Sequence, residues 1–135
     1  MKKMFLFLIL IFMFNFSLAN AEENPIDIEY SVCMKKEYST AGMNNCTLEA
    51  RLKWEKEIQK NIKLINKKLN KEQRKLFNQA NKKWEEYYNA EKQAIFDIIF
   101  NLDGTIHTNI AHANAMSLAK ERALYLEGFL FILKN

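Results

Sequence analysis

The sequence predicts an all-α fold, a small antiparallel bundle or long hairpin of about four helices with one disulfide. Three observations lead there. Beyond residue 21 the chain has one Val and four Thr against eleven Leu and ten Ala, so strand formers are scarce and helix formers abundant. Only three Gly and one Pro occur in 135 residues, and they are nearly absent from segment interiors. The apolar residues recur at intervals of three and four, the period of a helix with one buried face. The length suits a single domain and excludes a multidomain enzyme.

Residues 1–21 read as a secretory signal peptide. Lys2 and Lys3 precede an unbroken apolar run from Met4 to Phe14, and Ala19-Asn20-Ala21 offers the small-x-small site that signal peptidase cuts after Ala21. Eleven apolar residues are too few for a membrane span, which needs about 20. No Cys stands near the site to carry a lipid anchor. Cleavage leaves a domain of residues 22–135 with no transmembrane span and, with 18 basic and 16 acidic residues, a net charge of +2. In an oxidising compartment Cys33 and Cys46 are expected to form a disulfide, worth about 3 kcal/mol in the chain-entropy account.

Four helices follow in order. The first opens at Asn24-Pro25, a capping side chain followed by Pro at the first helical position, and runs to about Tyr38. Ser39-Thr40-Ala41-Gly42 is expected to break it. The second starts near Asn44 or Asn45 and carries Leu48, Leu52 or Trp54, Ile58, Ile62, Ile65 and Leu69. Asn70 marks a turn before the third, Lys71 to Leu102, whose stripe is Phe77, Ala80, Trp84, Tyr87, Glu91, Ile95, Ile98 and Leu102. Asp103-Gly104 stops it, Gly being the usual residue past a helix end. The fourth runs from about Thr108 to Leu133 through Ala111, Ala115, Leu118, Arg122, Leu126, Phe129 and Leu133.

Charge is uneven. From Lys35 to Lys83 there are 14 basic and 5 acidic residues, whereas residues 84–135 carry a net −3. A Lys-rich helix with aromatics would suggest nucleic acid in a cytosolic protein; export removes that partner. The basic stretch reads as the solvated face of an amphipathic helix, or as a surface for anionic wall polymer or lipid. His107 and His112 stand five apart near Asp103, off the i, i+4 spacing of a helical metal pair and without a third ligand, so no metal is expected. Neither a nucleophile motif nor His-Glu-x-x-His occurs, and adjacent Glu85 and Glu86 point to different sides of a helix. The chain is therefore expected to be no enzyme and to hold no cofactor.

Two charges interrupt apolar stripes, Glu91 on the third segment and Arg122 on the fourth. A charge on a buried face needs a partner. The expectation is an ion pair between Glu91 and Arg122 that fixes the register of the hairpin.

Taken together, Cys33, the run STAGMNNC ending at Cys46, Trp54, LFNQANKKWEEYYNAE around Trp84, Gly104 and LAKERALYL around Arg122 resemble the LprI-like lysozyme inhibitor family of exported bacterial proteins. The matching positions are Cys33, Thr40, Met43, Asn44, Cys46, Trp84, Tyr87, Ala90, Glu91, Gly104, Leu118, Arg122 and Leu126. The family's Arg-Asp before Ala-Glu is here Tyr88-Asn89, its third Cys is Lys92, and its Thr before Arg is Ala119. Its fourth Cys, expected around Ala111 to Ala115, is also missing. The resemblance thus implies that the first bridge is kept and a second, between the third and fourth helices, is absent.

The resemblance further implies an all-α periplasmic or secreted protein that inhibits host lysozyme. Animal lysozymes are strongly basic, so such an inhibitor is expected to present carboxylates. The candidates are Glu85, Glu86, Asp97 and Asp103, in the acidic C-terminal half. The second expectation is an envelope-associated module whose basic second helix, through Lys60, Lys63, Lys67 and Lys68, meets anionic wall polymer or lipid.

Overall fold

The fold is that of a computed structural model, which describes residues 23–134. The signal peptide expected over residues 1–21 lies outside them. Four helices follow one another: α1 (Pro25–Lys36), α2 (Thr40–Asn66), α3 (Lys71–Ile99) and α4 (Ile106–Ile132). No strand occurs among the described residues, and none of their helices is long and apolar enough to cross a membrane.

Local chemistry sets the helix boundaries. Asn24 accepts from the Ile26 amide, and Pro25 takes the first helical position of α1. At Asn70 a capping box forms, its side chain bonded to the Gln73 amide and Gln73 reaching back to the Asn70 amide. Gly104 takes φ +101°, the left-handed conformation that glycine adopts without strain. Several boundaries differ from expectation. Helix α2 starts at Thr40 rather than near Asn44, because Ser39 caps it by accepting from the Gly42 amide, so Gly42 lies in its first turn. Helix α1 ends at Lys36, α3 at Ile99, and α4 begins two residues early at Ile106.

Helices α2 and α4 share the largest interface and run parallel, since Asn44 bonds Thr108 at one end and Asn61 reaches the Ala123 carbonyl further along. Helices α1 and α3 return antiparallel to them. Ala111, Ala115, Ala119 and Ala123 recur every fourth residue of α4, none more than 1% exposed. Opposite, α2 supplies Ala50, Trp54, Ile58 and Ile65, so that large side chains of one helix fill the space left by small ones of the other. Helix α1 has no buried residue. It is held by the Cys33–Cys46 disulfide, by Glu29–Lys53, and by Asp27, whose two oxygens both lie 2.8 Å from Lys120 Nζ.

The buried face of α3 is rotated from the expected stripe. Asn81 and Tyr88 are buried, while Ala80 and Tyr87 are exposed. A shift of one residue turns a helix by about 100°. The cause lies outside α3: Asn81 receives the Arg122 guanidinium and Tyr88 donates to Glu55 of α2, so two polar side chains take the interior positions. Ile98 and Leu102, expected inside, are 66% and 51% exposed. On α4 the interior likewise includes Met116, Ala119 and Ala123, with Leu118 and Phe129 only half-buried.

Candidate functional site

The sequence motifs fall into a structural frame and an exposed tip. In the frame, the Arg122 guanidinium lies between two aromatic faces, 5.2 Å from the Trp84 and 5.2 Å from the Tyr125 ring centre. Its Nη2 donates to Asn81 Oδ1 at 2.7 Å. Burial pushes the Arg122 pKa below its usual value, with Tyr125 opposing the shift. Trp84 in turn stacks on Tyr88, whose hydroxyl donates to Glu55 Oε1 at 2.6 Å. Desolvation, helped by that bond, raises the Tyr88 pKa, so the phenol stays protonated as the donor. Arg122 and Trp84 are thus committed to each other and to the α3–α4 contact.

The expected Glu91–Arg122 pair is not formed. Phe77 stacks on Phe129, Trp84 meets Arg122, and Phe96 meets His112, which together fix the register of α3 against α4. Glu91 stands seven residues beyond Trp84, about 10 Å along the helix from the level of Arg122. Asn81, a neutral acceptor three residues before Trp84, takes the place assigned to Glu91. Sequence reasoning passed over it because an amide on an otherwise apolar face gives no sign of the partner that buries it.

The motif around Cys46 fastens α2 to α4. Asn44 Nδ2 donates to Thr108 Oγ1 at 3.1 Å, and Thr108 donates back to the Thr105 carbonyl at 2.7 Å. Thr47 donates to the Met43 carbonyl, and the Asn109 amide lies 3.9 Å from the Met43 sulfur. Lys92 is, by the register of α3 and α4, level with residues 114–116. Its ammonium sits 4.6 Å from the Tyr88 ring centre. His107 and His112 serve different neighbours: the first places Nδ1 2.7 Å from the Asp103 carbonyl, the second packs edge-on against Phe96. Burial, and then Arg51, lower the His112 pKa.

The four candidate carboxylates do not form one patch. Glu85 and Glu86 lie mid-way along α3, and Glu86 is held by Lys83 at 2.8 Å. That bond and the charges of Lys83 and Lys82 lower the Glu86 pKa. Asp97 and Asp103 lie at the far end, around the α3–α4 turn, and neither carboxylate forms an ion pair among the described residues. Around them Ile98, Phe100, Leu102, Ile106 and Ile110 are all exposed. No Lys or Arg occurs from residue 93 to 119. The sequence does not announce this tip: Ile98 and Leu102 continue the apolar period of α3, and Ile106 lies between Gly104 and the expected start of the fourth helix.

The basic stretch is divided as well. Lys56, Lys60, Lys63 and Lys67 line a depression on α2 together with Leu52, Leu64 and Glu55, and Lys60 is also paired with Glu57 at 2.9 Å. Lys68 lies in the turn after α2.

Comparison with known proteins agrees with this frame. The fold matches the crystal structure of an uncharacterized protein from Burkholderia thailandensis with a TM-score of 0.77 at 23% identity, over 83% of this chain and 56% of that one. The chain spans little more than half of that protein's length, and the likeness is one of fold. No curated protein sequence matches significantly. The family described as Lysozyme inhibitor LprI matches residues 33–126, from the first cysteine through the Trp84–Arg122 contact to the last third of α4. The chain belongs to the LprI lysozyme inhibitor family.

Proposed function

We propose that this protein is an exported, non-enzymatic inhibitor that binds host lysozyme through carboxylates of its acidic C-terminal half. The observation that carries the reading is the family match over residues 33–126. Supporting it, Glu85, Glu86, Asp97 and Asp103 all lie on the surface of α3 and the following turn, where a basic partner has access to them. Opposite charges speed encounter and set orientation, whereas close apolar contacts slow dissociation. Calorimetric titration of residues 22–135 against a panel of lysozymes at two salt concentrations tests the reading. Saturable binding that weakens with salt is expected, and no binding at either concentration rejects it.

A second reading rests on the depression of α2, where Lys56, Lys60, Lys63 and Lys67 surround Leu52 and Leu64. Such a surface suits an anionic wall polymer or lipid. It predicts salt-sensitive retention on isolated envelopes, lost on Lys→Glu changes at Lys60, Lys63, Lys67 and Lys68. Retention unchanged in that variant rejects this second reading.

A further inference from the structure

We infer that the α3–α4 turn alone forms the contact with lysozyme, its apolar residues acting as anchors between two free carboxylates. The inference rests on the proposed lysozyme binding and decides which part of the acidic half makes it. The turn closes the bundle with Phe100, Leu102 and Ile106 exposed, flanked by Ile98 on α3 and Ile110 on α4. All five lie within about 10 Å of Gly104 along the helix axes. Scattered single apolar residues are ordinary on a surface, but five around one turn mark an interaction site.

Charge selects the partner. Asp97 and Asp103 belong to this turn and have no ion-pair partner among the described residues, and residues 93–119 around them contain no Lys or Arg. Lys35 and Lys36 belong to the same end of the bundle, but they close α1, whose C-terminal end is fastened to α2 by the Cys33–Cys46 disulfide. An apolar centre with acidic flanks complements a cationic cleft with apolar walls, and it disfavours an anionic surface. Glu85 and Glu86 offer less: Lys82 and Lys83 are their neighbours, and Lys83 is bonded to Glu86.

The turn is also built to hold its shape. Asn101 Nδ2 donates to the Asp97 carbonyl at 2.7 Å, His107 lies against the Asp103 carbonyl, and Gly104 makes the reversal. A loop ordered before binding loses less entropy on association.

The experiment compares three proteins by surface plasmon resonance on immobilised animal lysozyme: wild type, Phe100→Ser/Leu102→Ser with Asp103→Lys, and Glu85→Lys/Glu86→Lys. The substituted tip residues are exposed, and unchanged helical circular dichroism and melting temperature establish that each variant is folded. The tip variant is expected to bind at least tenfold more weakly, and the mid-helix variant within about twofold of wild type. Wild-type binding with undiminished affinity in the tip variant overturns the inference and leaves the lysozyme reading standing. Absence of wild-type binding overturns both. Sedimentation of the free protein covers the other occupant: a dimer that the tip variant abolishes assigns the surface to a second copy and overturns the inference too.

Discussion

Arg122 and Trp84 face each other across the α3–α4 interface, the guanidinium carbon 5.2 Å from the indole ring centre. The contact joins the two residues most distinctive of the C-terminal motifs and gives both a structural role. Tyr125 covers the other face and Asn81 takes one N–H. A planar cation suits this slot because it can stack and donate in its own plane, which an ammonium cannot.

Arg122→Gln is therefore expected to cost about 2–3 kcal/mol, from the lost stacking and from leaving the Asn81 carbonyl without its donor. Arg122→Lys restores little of it. In urea denaturation, a double-mutant cycle of Arg122→Gln with Asn81→Ala shows coupling, whereas the cycle with Glu91→Gln is additive. Coupling to Glu91 instead would refute the register described above.

Reduction of Cys33–Cys46 removes a cross-link between residues 13 apart. The expected loss is about 3 kcal/mol in the chain-entropy account. Helix α1, with no buried residue, then exchanges its amide hydrogens fastest while α2 to α4 keep their protection. Uniform loss of protection over all four helices in hydrogen-exchange mass spectrometry would show that α1 is integral to the core.

Acid is expected to weaken the fold through His112. Burial first, then Arg51, lower its pKa below the ordinary 6.5, so the unfolded chain binds its proton more readily than the native one. The stability due to neutral His112 is complete above pH 6.5 and is lost as pH falls through the native value. Stability measured from pH 7.5 to 5 falls less steeply in His112→Phe than in wild type, and equal slopes would exclude the effect.

A second bridge can be restored at the level where the family places one. Lys92→Cys with Ala115→Cys joins α3 to α4 across positions that the register brings level. Oxidation is expected to leave no free thiol and to raise stability by about 3 kcal/mol. Persistence of two free thiols under oxidising conditions would mean that the register differs here.

What could be read from the sequence depends on how local its cause is. Asn24-Pro25, Asn70 with Gln73, and Gly104 announce helix ends because each acts within a few residues. Ser39 misled: the same hydroxyl that suits a turn also caps a helix, and only the Gly42 amide bonded to it distinguishes the two. The inner face of α3 was out of reach for another reason. Asn81 and Tyr88 are buried by partners 41 and 33 residues away, and periodicity counts apolar residues without knowing which polar ones will be matched. The exposed tip is subject to the same blindness, since Ile98 and Leu102 continue the apolar period past the point where a neighbouring helix covers it.

Parallel neighbours align their macrodipoles, so α2 and α4 bring two partially negative C-terminal ends together. Helix α3 begins at that end and offsets one of them; α1, at 12 residues, is too short to run the length of its 27-residue neighbours. Lysines gather at the same end of the bundle. Lys63 is in the last turn of α2, Lys67 and Lys68 follow it, and Lys134 follows α4. Part of the basic character of this chain thus answers its own backbone field before it meets any partner.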